Sequence, residues 1–263
     1  MKKINSKNNV KRDIVIIGGG PAGLSLACSL ADTHLKITII EKQSAKHLSS
    51  PSYDGREIAL THFSKKILED LGVWKHIPSS PISPIKEAKV LDGNSSYVLH
   101  FDSHKVHKEA LGYLVSNHLI KKALYKKVIT RPNIEIITNT SVVKVSSRKQ
   151  YATIETSNKK TIRAPLIVAA DSRFSQTREN MGISASINDF ERVAIVCRMK
   201  HEKRHHNIAY ECFHYGETLA VLPLMKNTSS IVMTIPAEKS EILMNMSKEK
   251  FNACIANKFK NKF

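Results

Sequence analysis

Gly18, Gly20 and Gly23, with Ala27 four residues on, have the spacing at which a chain turns tightly, brings its backbone close to a pyrophosphate and packs a helix against a strand. The chemistry of such a turn is binding. Unpaired amides at a helix N-terminus attract an anion, and a carboxylate about 20 residues later accepts the ribose hydroxyls of a dinucleotide. Glu41 stands at that distance, at the end of a second apolar run and directly before Lys42. Asp54-Gly55-Arg56 reads either as a surface turn with a solvated arginine or as a place where Arg56 faces a cofactor diphosphate. Asp171-Ser172-Arg173 follows another apolar run. Doubly wound sheets place ligand contacts at that end of a strand, and a helix N-cap is a compatible role for Asp171. His201-Glu202-Lys203-Arg204-His205 spells the zinc-peptidase string, whose chemistry needs both imidazoles on one face of a helix. It lies between two strand-like runs without an apolar helical stripe, so it reads as a charged hairpin loop, and His206 and His214 do not rescue a metal site.

The elements that must position these residues follow from the apolar periodicity. Residues 13–17 are a β-branched run, the glycines follow, and Leu24, Leu26, Ala27 and Leu30 continue as a helix, with a second strand over 35–40. This is a β-α-β unit. Residues 43–53 read as a polar loop, and Thr61 caps a helix that stops at Gly72. Asp92-Gly93-Asn94 between two alternating runs signals a hairpin, which does not belong inside a doubly wound sheet and therefore marks a second domain. A helix over 116–129, a strand over 134–137, an antiparallel meander over 142–163 and a buried strand over 166–170 return the chain to the first domain. Four strand-like runs and a Lys-rich helical tail close the sequence.

Composition narrows the partners. The chain has 263 residues, 41 Lys+Arg against 23 Asp+Glu, and a formal net charge of +18, which favours anionic partners. With aromatics at 6% and no docking motif, nucleic acid is not among the expected ones. The lysine-rich stretches read as solvated faces. Four scattered cysteines without a C-x-x-C pair argue against a disulfide framework and suit a reducing cytoplasmic setting. The apolar run after the basic start stops at three glycines, too short for a signal peptide or a membrane span, so any membrane contact is expected to be peripheral.

Taken together, several blocks resemble one family. They are residues 13–27 with Glu41-Lys42, Asp54-Gly55-Arg56-x-x-Ala59-Leu60, residues 111–117, Ala169-Ala170-Asp171-Ser172-Arg173, Ala209-Tyr210-Glu211 and Leu222-Pro223-Leu224. The chain is similar to the FAD-dependent aromatic-ring monooxygenases of the para-hydroxybenzoate hydroxylase fold, and among them to the ubiquinone-biosynthesis hydroxylases. The resemblance implies an α/β fold. A Rossmann-like, three-layer FAD-binding domain with an antiparallel meander would occupy residues 10–80 and 105–184, and a mostly antiparallel substrate domain 81–104 and 185–263. It also implies that Gly18, Gly20, Gly23, Glu41 and Lys42 bind the ADP part of FAD, that Arg56 and Asn117 lie along the cofactor, that Val143 sits by the adenine and that Asp171 serves the diphosphate region. No catalytic acid or base is identified. The implied reaction is hydroxylation of a polyprenyl phenol with NAD(P)H and O2, with the enzyme at the inner face of the membrane or in a quinone-biosynthesis complex.

Two departures from the family pattern matter. Ser172 stands where the family has glycine, and the family's second flavin motif, a Gly-Asp dipeptide after the substrate sheet, is absent, since none of the ten glycines precedes an aspartate. The expectation from the second is a chain lacking the last part of its FAD domain, with an open sheet edge and weakened FAD affinity. The alternative to an active hydroxylase is then a truncated, catalytically inactive fragment that is at most a binding partner. A reductase or oxidase on the same fold is the remaining alternative.

Overall fold

The computed structural model describes residues 9–214 and 216–259. The chain divides into two compact units, one comprising residues up to 52, 68–77 and 118–186, the other 53–67, 78–117 and those from 187 on.

The first unit is organised on four parallel strands, β2 (Ile14–Ile17), β3 (Ile37–Ile40), β9 (Ile134–Ile137) and β13 (Leu166–Ala169), in the order β13-β2-β3-β9. β-Branched residues fill β2 and β3, all eight of them buried, as a parallel sheet covered on both faces requires. Val15, Ile17 and Ile40 on one face pack with Val145, Ile154 and Ile162 of a second sheet. That sheet is the expected antiparallel meander of β10 (Val142–Ser147), β11 (Ala152–Thr156) and β12 (Thr161–Ala164), extended by β1 (Asn9–Lys11) pairing parallel to β12. On the other face lies α1 (Pro21–Ser29), burying Gly23, Leu24, Ala27 and Cys28 along one stripe. Burial of Leu24 alone contributes about 1.5–3 kcal/mol. α4 (Asn117–Val128) buries Ile120, Ala123, Leu124 and Val128 at helical spacing.

Three details differ from the sequence reading. Residues 43–53 are not all loop: Ser44 accepts a hydrogen bond from the His47 amide and caps the five-residue α2 (Ala45–Ser49), too short to show a periodicity. β13 is not a buried strand. It pairs only with β2 among the described residues, and as the edge of its sheet leaves Leu166 51% exposed. After it, Ser175 caps α5 (Gln176–Asn180) by accepting from the Arg178 amide.

The second unit contains a six-stranded sheet ordered β14 (Arg192–Lys200), β17 (Thr228–Pro236), β16 (Glu217–Pro223), β15 (Ile208–His214), β6 (Glu87–Asp92) and β7 (Val98–Asp102). Every neighbouring pair is antiparallel except β15 with β6, and β6–β7 is the expected hairpin. A three-stranded sheet, β4 (Glu57–Leu60), β8 (Gly112–Ser116) and β5 (Ser83–Ile85), shares a small core of Ile85, Leu114, Ala209 and Leu224 with it. This packing carries 53–67 and 105–117 into the second unit, whereas the sequence boundaries assigned them to the first. α3 (His62–Asp70) opens with the Ser64 amide donating to Thr61 Oγ1 at 3.1 Å and is followed by Gly72 in the left-handed conformation, φ +67°. After the short α6 (Ser240–Met244), the Lys-rich tail forms α7 (Lys248–Lys258). Ile255 on α7 and Phe259 just beyond it are buried on the sheet with Leu219, Ile231 and Met233, so one face of this segment is core rather than solvated. The zinc-peptidase string is a loop, as read. It joins β14 to β15, which are not neighbours in the sheet, so it is a crossing connection and not a hairpin.

Candidate functional site

The turn from β2 into α1 is built so that side chains cannot occupy it. Gly18 has φ +109°, and a Cβ there would lie 2.3 Å from the Ala170 carbonyl oxygen at the end of β13. A Cβ on Gly23 would lie 2.1 Å from the Gly18 carbonyl oxygen and 3.1 Å from Ile16, which is the close helix–strand packing read from the spacing. Gly20 is different. Its backbone is extended, φ −77° and ψ 179°, and a Cβ on it would meet nothing within 4 Å. The fold tolerates a side chain at Gly20; what a side chain would displace is whatever approaches the backbone from the open side.

That open side is a cavity of about 790 Å3, whose wall includes Gly18, Gly20, Glu41, Lys42, Lys121 and Asp171. The first amides of α1 have no partner within the helix, and Pro21 in its first turn has no amide to offer. Glu41 is 7% exposed. It accepts the Gly19 amide on Oε2 at 2.6 Å and the Gln43 amide on Oε1 at 2.8 Å. A carboxylate has about four acceptor sites, so two remain for other donors. Lys121 reaches this wall from α4, and its spacing in the sequence carries no signal of it.

Asp171 lines the cavity and also organises the turn behind it. Ser175 Oγ donates to its Oδ1, and the Thr177 amide and hydroxyl donate to its Oδ2 at 3.1 and 2.8 Å. Burial works to raise the Asp171 carboxyl, but these hydrogen bonds outweigh it and hold it below the ordinary aspartate value. Ser172 follows at φ +89°, so the glycine of the family pattern is missing where the backbone favours one. The residue at the cavity wall on β10 is Val142 rather than Val143, which is 61% exposed. β10 carries a register shift between Val142 and Lys144, so its side chains there do not alternate regularly between the two faces.

Arg56 and Asn117 belong to the second unit and come together there. Asp54 Oδ2 accepts from Arg56 Nη2 at 2.6 Å and from Asn117 Nδ2 at 2.7 Å, and the Asn117 amide donates to the Arg56 carbonyl at 3.0 Å. Burial opposes ionisation of Asp54, yet these hydrogen bonds lower its carboxyl below the ordinary value. The Arg56 side chain stays 62% exposed while Asn117 is buried. Beside them, the Glu57 side chain is almost completely buried, 2% exposed, and its ion pair with Arg198 of β14 joins residues 141 positions apart. Neither residue was singled out by sequence, because no local pattern links them.

The FAD binding domain family matches residues 11–263. The ubiquinone hydroxylase UbiM of Neisseria meningitidis is 44% identical over 254 residues, which are 95% of this chain and 55% of that protein. The ubiquinone hydroxylase UbiL of Rhodospirillum rubrum is 30% identical over 247 residues, 94% of this chain and 57% of its own length. The chain thus spans about half the length of these curated relatives. Among solved structures, PqsL of Pseudomonas aeruginosa, described as a probable FAD-dependent monooxygenase, superposes with a TM-score of 0.79 at 15% identity, covering 94% of this chain and 67% of that one. The p-nitrophenol 4-monooxygenase PnpA of Pseudomonas putida gives 0.72 at 18% identity, covering 96% and 63%. At these identities the two structures share the fold.

Proposed function

The chain belongs to the FAD binding domain family, and from that premise we propose that it is an FAD-dependent hydroxylase acting on the ring of a polyprenyl phenol in ubiquinone biosynthesis, with NAD(P)H as reductant and O2 as the source of oxygen. The observation that carries this reading is the cradle at the β2–α1 turn, where Gly20 leaves the backbone open beside a buried carboxylate in a cavity of about 790 Å3. It is supported by the 44% identity to a ubiquinone hydroxylase over nearly the whole chain.

When bound, FAD supplies the electron transfer and the oxygen chemistry; the residues here bind and orient it. Gly18, Gly20 and Gly23 would admit the diphosphate to the first amides of α1, and the two remaining acceptor sites of Glu41 would take the ribose hydroxyls. Lys42 and Lys121 would offset phosphate charge, and Val142 rather than Val143 would provide the side chain by the adenine. Asp171 would keep the turn after β13 in shape through Ser175 and Thr177. Arg56 and Asn117, fixed by Asp54, would lie along the cofactor.

A polyprenyl tail partitions into a bilayer, so peripheral contact at the inner face of the cytoplasmic membrane, or with a quinone-biosynthesis complex, is part of the same reading. It is supported by the net charge of +18 and by the basic surface at His76. The imidazole there is lowered by burial and then by Lys126, Lys75 and Lys127. Among the described residues no helix is long and apolar enough to cross a membrane. The test is turnover of a short-chain polyprenyl phenol by the purified chain with FAD, NAD(P)H and isotopically labelled O2. Labelled oxygen in the product is expected. A chain that retains flavin and oxidises NAD(P)H without labelling the phenol would overturn the hydroxylase assignment.

A further inference from the structure

Arg198 is held in a way that a surface arginine does not require. One of its nitrogens, Nη2, bonds to Glu57 Oε1 and to Ser116 Oγ, the latter at 3.1 Å, and its guanidinium lies over the Tyr53 ring at 4.2 Å. Ser116 Oγ in turn donates to Glu57 Oε2 at 2.8 Å, and the Tyr53 hydroxyl donates to Glu57 Oε1 at 3.4 Å. The Glu57 carboxylate is therefore buried but accepts from three donors, and it serves as a fixed anchor. Burying a carboxylate costs several kcal/mol before its partners offset it. What this anchor produces is an ordered guanidinium. The Arg198 side chain is 42% exposed, and its hydrogen bonds to Glu57 and Ser116 both leave from Nη2. The rest of the guanidinium keeps N–H donors in a fixed plane stacked on an aromatic ring.

Val196 and Arg198, two residues apart on the edge strand β14, share the face that meets the Tyr53–Glu57 segment, and Val196 lies 4.0 Å from where a Gly55 side chain would begin. That segment also carries Asp54 and Arg56. We propose that Arg198 is a specificity-determining residue that holds the ring oxygen of the phenolic substrate as its phenolate. Glu57, Ser116 and Tyr53 are positioning residues that pre-order its guanidinium. This rests on the hydroxylase reading above. A planar cation favours the ionised phenol over the neutral one, and an ordered fork loses little side-chain entropy on binding.

The probe is 4-nitrophenol, whose ionisation is visible, titrated into the purified chain with and without FAD. Binding to the wild type is expected to lower the pH at which the phenol ionises. Arg198→Gln should weaken binding at least tenfold and abolish that shift, with Arg198→Lys intermediate. Because Arg198→Gln alone leaves the Glu57 carboxylate unpaired, the double variant Glu57→Gln/Arg198→Gln, which keeps a hydrogen-bonding pair, is measured beside it and should show the same loss at an unchanged thermal midpoint. Glu57→Gln alone should retain the phenolate preference with severalfold weaker binding. Absence of an ionisation shift in the wild type, or wild-type binding by either Arg198→Gln protein, would overturn the proposal. Flavin uptake recorded on the same samples separates this from failure of the hydroxylase reading, since the titration without FAD stands by itself.

Discussion

Replacing Gly20 by alanine separates the two reasons a glycine can be needed at the β2–α1 turn. At Gly23 the reason is steric and internal, because the added carbon would sit 2.1 Å from a main-chain oxygen. Such overpacking costs about 1–3 kcal/mol, so Gly23→Ala should lower the unfolding free energy of the chain without ligand by that amount. At Gly20 the added carbon meets nothing within 4 Å, and φ −77° is available to alanine. Restricting the unfolded chain stabilises by about 0.4–1 kcal/mol. Alanine is a poorer N-cap than glycine by roughly the same amount, so the two effects nearly cancel. The unfolding midpoint of Gly20→Ala should therefore match that of the wild type, while its affinity for FAD falls at least tenfold, equivalent to about 1.4 kcal/mol. Chemical unfolding followed by circular dichroism reads the first quantity and quenching of flavin fluorescence the second. FAD affinity equal to wild type in Gly20→Ala, or a loss no larger than its loss of stability, would refute the claim that the open backbone at Gly20 is a ligand surface.

Other consequences are independent of FAD. Ser172→Gly should stabilise the chain by about 1 kcal/mol, because a non-glycine residue at φ +89° carries strain that glycine removes; an unchanged unfolding midpoint would contradict this. The Asp171 carboxyl is lowered in the folded state, so its stabilisation is complete above the unfolded value and is lost as pH falls through the lower folded one. Asp171→Asn should reduce the slope of stability against pH below about pH 4 and leave the alkaline limb unchanged. Cys28 is pushed up to about 11 by burial, against the opposing charges of Lys127 and Arg131. Its alkylation at pH 8 should be far slower in the native chain than in denaturant, and equal rates would show that α1 does not bury it.

The β2–α1–β3 unit was legible because its signals are local: a β-branched run, glycines at fixed offsets and a carboxylate ending the next run. The hairpin at Asp92-Gly93 was legible for the same reason. What escaped came from longer-range or irregular geometry. Lys121 reaches the cavity wall from a helix about 100 residues after Gly20, and Arg198 meets Glu57 across 141 residues. The resemblance points to Val143 for the place by the adenine, whereas the cavity wall carries Val142, next to the register shift in β10. β13 looks buried by composition, yet it is the edge of its sheet, and pairing order is not written in a four-residue run. The placing of 53–67 and 105–117 with the second unit follows from the β4-β8-β5 sheet, which forms only when three separate segments meet.

The central claim, that the cradle between Gly18 and Glu41 binds FAD, is tested most directly by the visible absorption spectrum of the purified chain after incubation with FAD and desalting. A retained flavin band, lost in Gly20→Ala at unchanged fold stability, is the expected result. A colourless wild-type chain that is folded by circular dichroism would contradict it.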